Sequence, residues 1–407
     1  MGHIAIAGAG LAGLAAATAA IDHGHTVTVL EKQDGPGGRV RTDEVDGYRL
    51  DRGFQILLTA YPAAQRVLDY GRLDLRRFQP GALVQTAAGR AFVGDPIRRP
   101  GVLFDTITSP IGSPSDKARL LLWRRSVMSD TVDRLWKKGE VTTGARFGDL
   151  KFSDSFVDGF LRPLFAGIAL DPDLEVSSRF TEFVFRMLAE GYGAVPSRGM
   201  GEIPRQLAER LPDGTIRYGT PVRAVTSDAL ETMGGERVEA DAVIVATDMD
   251  AAADLLDTPQ LGWSGVTTRW YSADSAPYDQ PLLFLNGTGG GAVNNVAVMS
   301  TVSPHYAPRG KHLVAVSSSG TATDVDAVNA DLRAWFGRVV DSWELLRTDE
   351  IARAQPRYLP GEDLPARPGL DSGVFVAGDH RANPSIDGAF ESGLRAARAV
   401  FGHLSKR

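Results

Sequence analysis

The 407-residue chain contains no cysteine. That removes a disulfide framework, a thiolate zinc site, an iron–sulfur cluster and a cysteine nucleophile together. Lysine is scarce, seven residues against 37 arginines, a bias of genome composition rather than of chemistry. No run approaches the roughly 18 uninterrupted apolar residues of a membrane span. The opening residues read as a strand rather than as a secretory leader, so the expected location is the cytoplasm. Neither charge dominates: 44 basic and 50 acidic residues leave −6, with no pull toward nucleic acid. There is no Walker A loop and no G-x-S-x-G elbow. The seven histidines (3, 23, 25, 305, 312, 380, 403) show no metal-ligand spacing, so no metal is expected. What remains is ordinary for a globular protein with a sizeable core, 43% hydrophobic and 23% charged, and long enough for two folding units.

The positive signal begins at once. His3–Ala7 reads as a buried parallel strand and runs into Gly8-Ala9-Gly10-Leu11-Ala12-Gly13, a G-x-G-x-x-G. Leu11 to Asp22 is proline-free helix material, Gly24 ends it, and Thr26–Leu30 is a second strand followed by Glu31. Gly8 permits the turn, Gly10 lets backbone approach a pyrophosphate, and Gly13 lets helix pack on strand. The helix start offers free N–H groups and partial positive charge to phosphates, while Glu31 can accept from ribose hydroxyls and repels a 2′-phosphate. Strand, fingerprint, helix, strand and acid in that order predict a dinucleotide site. A second glycine cluster, Gly287 to Gly291, lies between two strand-like runs and is a hairpin turn, not a phosphate loop.

Three further segments bear on which dinucleotide is held. Gly35-Pro36-Gly37-Gly38-Arg39-Val40 is a glycine loop carrying a cation. Pro221–Val225 precedes an acidic hairpin and the strand Asp241–Thr247. Near the C-terminus, Gly373-Val374-Phe375-Val376-Ala377-Gly378-Asp379 ends a strand in an acid, and Ser385-Ile386-Asp387-Gly388-Ala389 opens a final helix. With Asp51-Arg52-Gly53-Phe54-Gln55, Phe160 to Gly167 and Val195 to Pro204, the chain resembles the FAD-dependent amine oxidase, phytoene desaturase and protoporphyrinogen oxidase superfamily along nearly its whole length. Arg198 stands where the family's P-x-G-G-M segment has its first glycine.

The resemblance implies an α/β fold: a Rossmann-like FAD-binding domain of the glutathione-reductase type made of discontinuous segments, 1–75, 196–250 and 362–407. A substrate domain of 76–195 and 251–361 is implied, α+β, with a mixed sheet and a helical cap. It implies non-covalent FAD, since no cysteine is present for a thioether. Contacts are implied from Gly8, Gly10, Leu11, Ala12, Gly13, Glu31, Lys32, Gly37, Gly38, Arg39, Phe54, Val222, Ala246, Gly378, Asp379, Asp387, Gly388 and Ala389. A flavin carries the hydride chemistry itself, so few catalytic side chains are needed. Phe54, Gln55, Arg357, Tyr358 and His380 are the candidates that adjoin flavin-facing segments.

Amine oxidases of the superfamily place a lysine beside the flavin N5; Pro281–Met299 contains none, and Lys311 reads as a surface-turn residue. The expected reaction is therefore hydride abstraction from a largely hydrophobic small molecule, isoprenoid- or tetrapyrrole-like. Amine oxidation and non-redox isomerisation or mutation are the alternatives. The electron acceptor, dioxygen, quinone or other, and the oligomeric state are left open. Residues 116–138, seven basic and three acidic, read as an amphipathic cap helix; the alternative is a helix lying on a membrane surface.

Overall fold

Strand His3–Ala7 is apolar on both faces, and the fold covers both. The computed structural model describes residues 1–95, 97–98, 108–258, 260–370 and 372–406. Five parallel strands run in the order Ile216–Arg217, Thr26–Leu30, His3–Ala7, Ala242–Val245 and Phe375–Val376. On one face Ile4, Ile6, Val29 and Ile244 pack beneath the helices Leu11–Asp22 and Ile386–Leu404. On the other, Ala5, Ala7, Val243 and Val245 meet Leu230 and Val238 of a three-stranded antiparallel sheet, Val222–Val225, Ala229–Thr232 and Arg237–Glu239. Burial on both faces explains why these strands lack polar alternation.

A seven-stranded mixed sheet carries the rest, in the order Glu344–Arg357, Gly262–Ala273, His312–Ser319, Asn295–Val298, Leu283–Asn286, Gly81–Thr86 and Gly89–Gly94. Leu283–Asn286 pairs antiparallel with Asn295–Val298, so Gly287–Gly291 lies in the connection between them. The sequence reading assigned no strand to the hairpin Gly81–Gly94, although Ala82, Val84, Ala91 and Val93 alternate inward.

Helices wall the space between the sheets. Pro114–Ser129 starts with a capping box in which Ser113 and Asp116 exchange hydrogen bonds, and Pro114 occupies the first turn. It stops at Asp130, and Thr131 caps a separate short helix, Val132–Leu135, so residues 116–138 are not one helix. Trp123 fastens this wall, 1% exposed and stacked on Phe185 at 4.0 Å. Just before Pro163 the backbone widens to a π-turn over Val157–Leu161, with Arg162 N–H donating to the Val157 carbonyl. Proline has no N–H and crowds the preceding turn, which accounts for the bulge. Among the described residues no helix is long and apolar enough to cross a membrane.

Candidate functional site

The site begins at the first glycine loop. Gly8 has φ +103°, and a Cβ there would lie 2.7 Å from the Ala246 carbonyl. A Cβ on Gly13 would lie 1.9 Å from the Gly8 oxygen, so this glycine sets how closely helix Leu11–Asp22 meets the strand. Gly10 differs: nothing lies within 4 Å of where its Cβ would be. Gly10 caps the helix without a side-chain hydrogen bond, so the first-turn N–H groups keep no intrahelical partner. The second glycine loop closes on the first, with Gly37 N–H donating to the Ala9 carbonyl at 2.8 Å.

Glu31 is only 5% exposed and ties this corner together. One carboxylate oxygen accepts from Ala9 N–H at 2.7 Å and the other from Gln33 N–H at 2.8 Å. Each oxygen has a further lone pair with which to accept from a ligand hydroxyl. The two ends of the chain meet at Arg39, whose guanidinium bonds Asp379 at 2.7 Å and the Ala354 carbonyl at 2.9 Å. Gln55 donates to the Arg39 carbonyl at 2.9 Å, and its Oε1 is buried with no partner among the described residues.

One continuous cavity of about 960 Å³ runs past Gly10, Gly37, Glu31, Arg39, Gln55 and Asp379, at the upper end of the range for small-molecule and cofactor sites. Its nucleotide end carries Gly8, Gly10, Leu11, Ala12, Glu31, Lys32, Gly37, Gly38, Arg39, Val222, Ala246, Gly378, Asp379 and Ala389. Beyond them the wall turns apolar, with Phe54, Ile56, Phe78, Phe160, Leu164 and Ile168.

A profile described as "Flavin containing amine oxidoreductase" matches residues 11–401. The chain belongs to that family. The phytoene dehydrogenase of Streptomyces griseus is 26% identical over 287 residues, 62% of this chain and 56% of that protein. The mitochondrial protoporphyrinogen oxidase of Nicotiana tabacum is 31% identical over 175 residues, 42% and 33% of the two chains. The L-amino-acid oxidase of Bothrops pauloensis is 28% identical over 287 residues, 64% and 54%. The chain therefore spans a third to little more than half the length of these relatives. Among solved structures, an oxidoreductase from Methanosarcina mazei aligns with TM-score 0.74 at 18% identity, covering 98% of this chain and 100% of that one. A reduced UDP-galactopyranose mutase aligns with TM-score 0.70 at 18% identity, covering 99% and 96%.

The residues present fit the flavin nucleotide that the family name implies. The open space beside Gly10 is a cradle that a methyl group would fill, and the helix start faces it with first-turn N–H groups that have no intrahelical partner. Three of the implied contacts lie off the cavity wall, Gly13 among them in the packing role that the motif also gives it. Gly13, Gly388 and Asp387 are not on the cavity wall: a Cβ on Gly388 would lie 1.9 Å from the Asn383 carbonyl. Asp387 turns to accept from Ala63 N–H at 2.7 Å, and burial pushes its carboxyl up to about 6.

Of the five catalytic candidates, Phe54 and Gln55 line the cavity and the others do not. Arg357 ion-pairs with Glu175 and Asp171. Tyr358 is wholly buried, and burial first, with Glu140 nearby, pushes its hydroxyl up to about 12. His380 is 8% exposed behind Gly378, and desolvation lowers it to about 4, so the ring is neutral at ordinary pH. These three adjoin cavity segments in sequence, but a strand or turn residue has two sides, and theirs point away. The sequence reading missed Asp248, which lines the cavity, caps helix Met249–Leu256 through Ala251 N–H at 3.0 Å, and pairs with Lys32 at 3.3 Å. The signal was available: an aspartate after a strand and before an alanine-rich run is an N-cap pattern.

Proposed function

We propose that the protein is a flavin-dependent oxidoreductase that dehydrogenates a largely apolar small molecule, with FAD held non-covalently. The observation that carries this reading is the composition of the cavity wall past the flavin-binding end. Phe54, Phe78, Phe160, Leu164, Ile168 and Ile351 surround the space a substrate would take. Such a wall rewards burial of hydrocarbon, about 25 cal/mol per Å² of apolar surface, and discriminates against a solvated ammonium group.

The lysine pattern points the same way. Among the described residues Lys32 is the one lysine on the wall, and it sits at the nucleotide end against Asp248. Lys311 lies outside, paired with Asp274 at 2.6 Å. A lysine positioned for amine oxidation is therefore missing from the described wall. A bound flavin supplies hydride acceptance; the chain supplies position and dryness. Phe54 and Ile56 border the chamber, and Gln55, pinned by its amide to the Arg39 and Arg52 carbonyls, presents the buried Oε1 as a lone acceptor.

Anaerobic mixing of the holoprotein with a carotenoid-precursor and porphyrinogen panel, beside an amine and amino-acid panel, tests this reading. Flavin bleaching by the apolar panel alone supports it. Bleaching by the amines alone, or turnover that requires prior reduction without net electron consumption, contradicts it.

A further inference from the structure

The cavity has a second polar end that the flavin loops do not build. It lies where helices Pro114–Ser129 and Ser178–Glu190 meet the chain leaving strand Gly89–Gly94. Arg98 and Arg124 both stand on this wall, beside Leu120, Leu121 and Phe185. Each is fixed by a carbonyl at the end of the second helix: Arg98 Nη1 donates to Leu188 at 2.8 Å and Arg124 Nη2 to Ala189 at 3.2 Å. Arg98 also lies over the Tyr192 ring, 4.0 Å from its centroid. Both guanidinium groups keep a buried nitrogen without a hydrogen-bond partner among the described residues, Nη2 of Arg98 and Nε of Arg124. Asp95 Oδ2 stands 3.9 Å from Arg124 Nε, and its Oδ1 accepts from the backbone N–H groups of Ile97 at 3.0 Å and Arg98 at 3.4 Å. Among the described residues the Arg124 guanidinium thus has one carboxylate, beyond hydrogen-bond distance, and the Arg98 guanidinium has no ion pair.

We propose that Arg98 and Arg124 form an anion subsite that receives a carboxylate or phosphate carried by the otherwise apolar substrate. This rests on the reading of the cavity as a substrate chamber, and it narrows the substrate class from hydrocarbon to apolar body with an anionic head. A buried donor without an acceptor is costly, and a guanidinium fork matches two anionic oxygens. The helix carbonyls orient both side chains without neutralising them. Anchoring the head at this wall leaves the apolar body along Phe160, Leu164 and Ile168, toward Gln55.

Calorimetric titration of the flavin-loaded protein with decanoate, decyl phosphate and decanol tests the subsite without any turnover. At least one of the two anions is expected to bind tenfold or more tighter than the alcohol, and comparison of the two anions names the head group. Arg98→Met and Arg124→Met are each expected to weaken anion binding roughly tenfold or more, the range for a charged hydrogen bond, and to leave decanol unchanged. Arg98→Lys, which keeps the charge but not the fork, is expected to fall between. Equal affinity of acid and alcohol in the unmodified protein would overturn the proposal whatever the variants do. Anion binding unchanged in folded Met variants would overturn it as well. Failure of the substrate panel to bleach the flavin would strike the proposed reaction, and leaves this titration to be judged on its own result.

Discussion

Three glycines of one short motif do different physical work, and their substitution separates folding from binding. At Gly10 an added methyl group meets open space, so Gly10→Ala leaves the apoprotein close to the parent, losing at most about 1 kcal/mol through the preference for glycine over alanine at an N-cap. Its methyl occupies the phosphate cradle, so FAD affinity is expected to fall by tenfold or more. At Gly13 the methyl would enter the Gly8 carbonyl at 1.9 Å. The propensity gain of about 1 kcal/mol is smaller than the one to three typical of overpacking, and Gly13→Ala is expected to lose stability even without cofactor. Urea unfolding of the apoproteins and FAD titration distinguish the two. The motif gives the two glycines these different tasks, and the fold agrees in placing Gly10, but not Gly13, on the cavity wall.

Asp51 is the residue whose role composition could not reveal. It is fully buried, accepting from Thr42 at 2.5 Å, Tyr306 at 2.7 Å and Met200 N–H at 2.9 Å. Burial outweighs these donors and raises its carboxyl to about 6. The folded chain therefore holds this proton more tightly than the unfolded chain, and stability is lost as pH rises from about 4 through 6. Asp51→Asn mimics the protonated form. Relative to the parent it is expected to gain on the order of 3 kcal/mol between pH 4 and pH 7, at about 1.4 kcal/mol per pH unit. Asp387 and His380 are present in both proteins and cancel in the difference. Chemical denaturation of both at several pH values checks this; a difference independent of pH would contradict it.

At the scale of elements, local signals were legible and long-range pairing was not. The first strand, helix and strand and the last helix follow from periodicity, caps and glycines. The sequence reading of residues 116–138 as one helix failed because Asp130 and Thr131 interrupt it, and Thr131 is a cap residue in plain view. The hairpin Gly81–Gly94 was missed because its glycines and alanines make a weak strand, stabilised by parallel pairing with Leu283–Asn286 some 200 residues away. Another long-range contact joins the first and last helices: a Cβ on Gly393 would lie 2.2 Å from the Ala12 carbonyl. Gly393→Ala is expected to push these helices apart, costing about 1–3 kcal/mol in urea unfolding and weakening FAD binding with it. Unchanged stability would show that the helices separate freely.

At the scale of the whole molecule, the chain folds so that residues near its beginning and end share one wall. Arg39 and Asp379, 340 positions apart, bond at 2.7 Å where that wall turns from nucleotide loop to apolar chamber. Sequence motifs could name the two halves of this site because glycines and acids carry the chemistry locally. They could not name Arg98 or Arg124 as wall residues, since an arginine in a helix or loop looks the same whether it faces solvent or cavity.

The central claim is that these distant segments enclose one flavin nucleotide without a covalent bond. It is tested most directly by the absorbance spectrum of the purified or FAD-reconstituted protein, followed by acid precipitation. The account predicts a yellow protein with perturbed flavin bands, all of whose flavin appears in the supernatant after precipitation. A colourless protein that takes up no FAD would contradict the site; flavin retained in the pellet would contradict the mode of attachment.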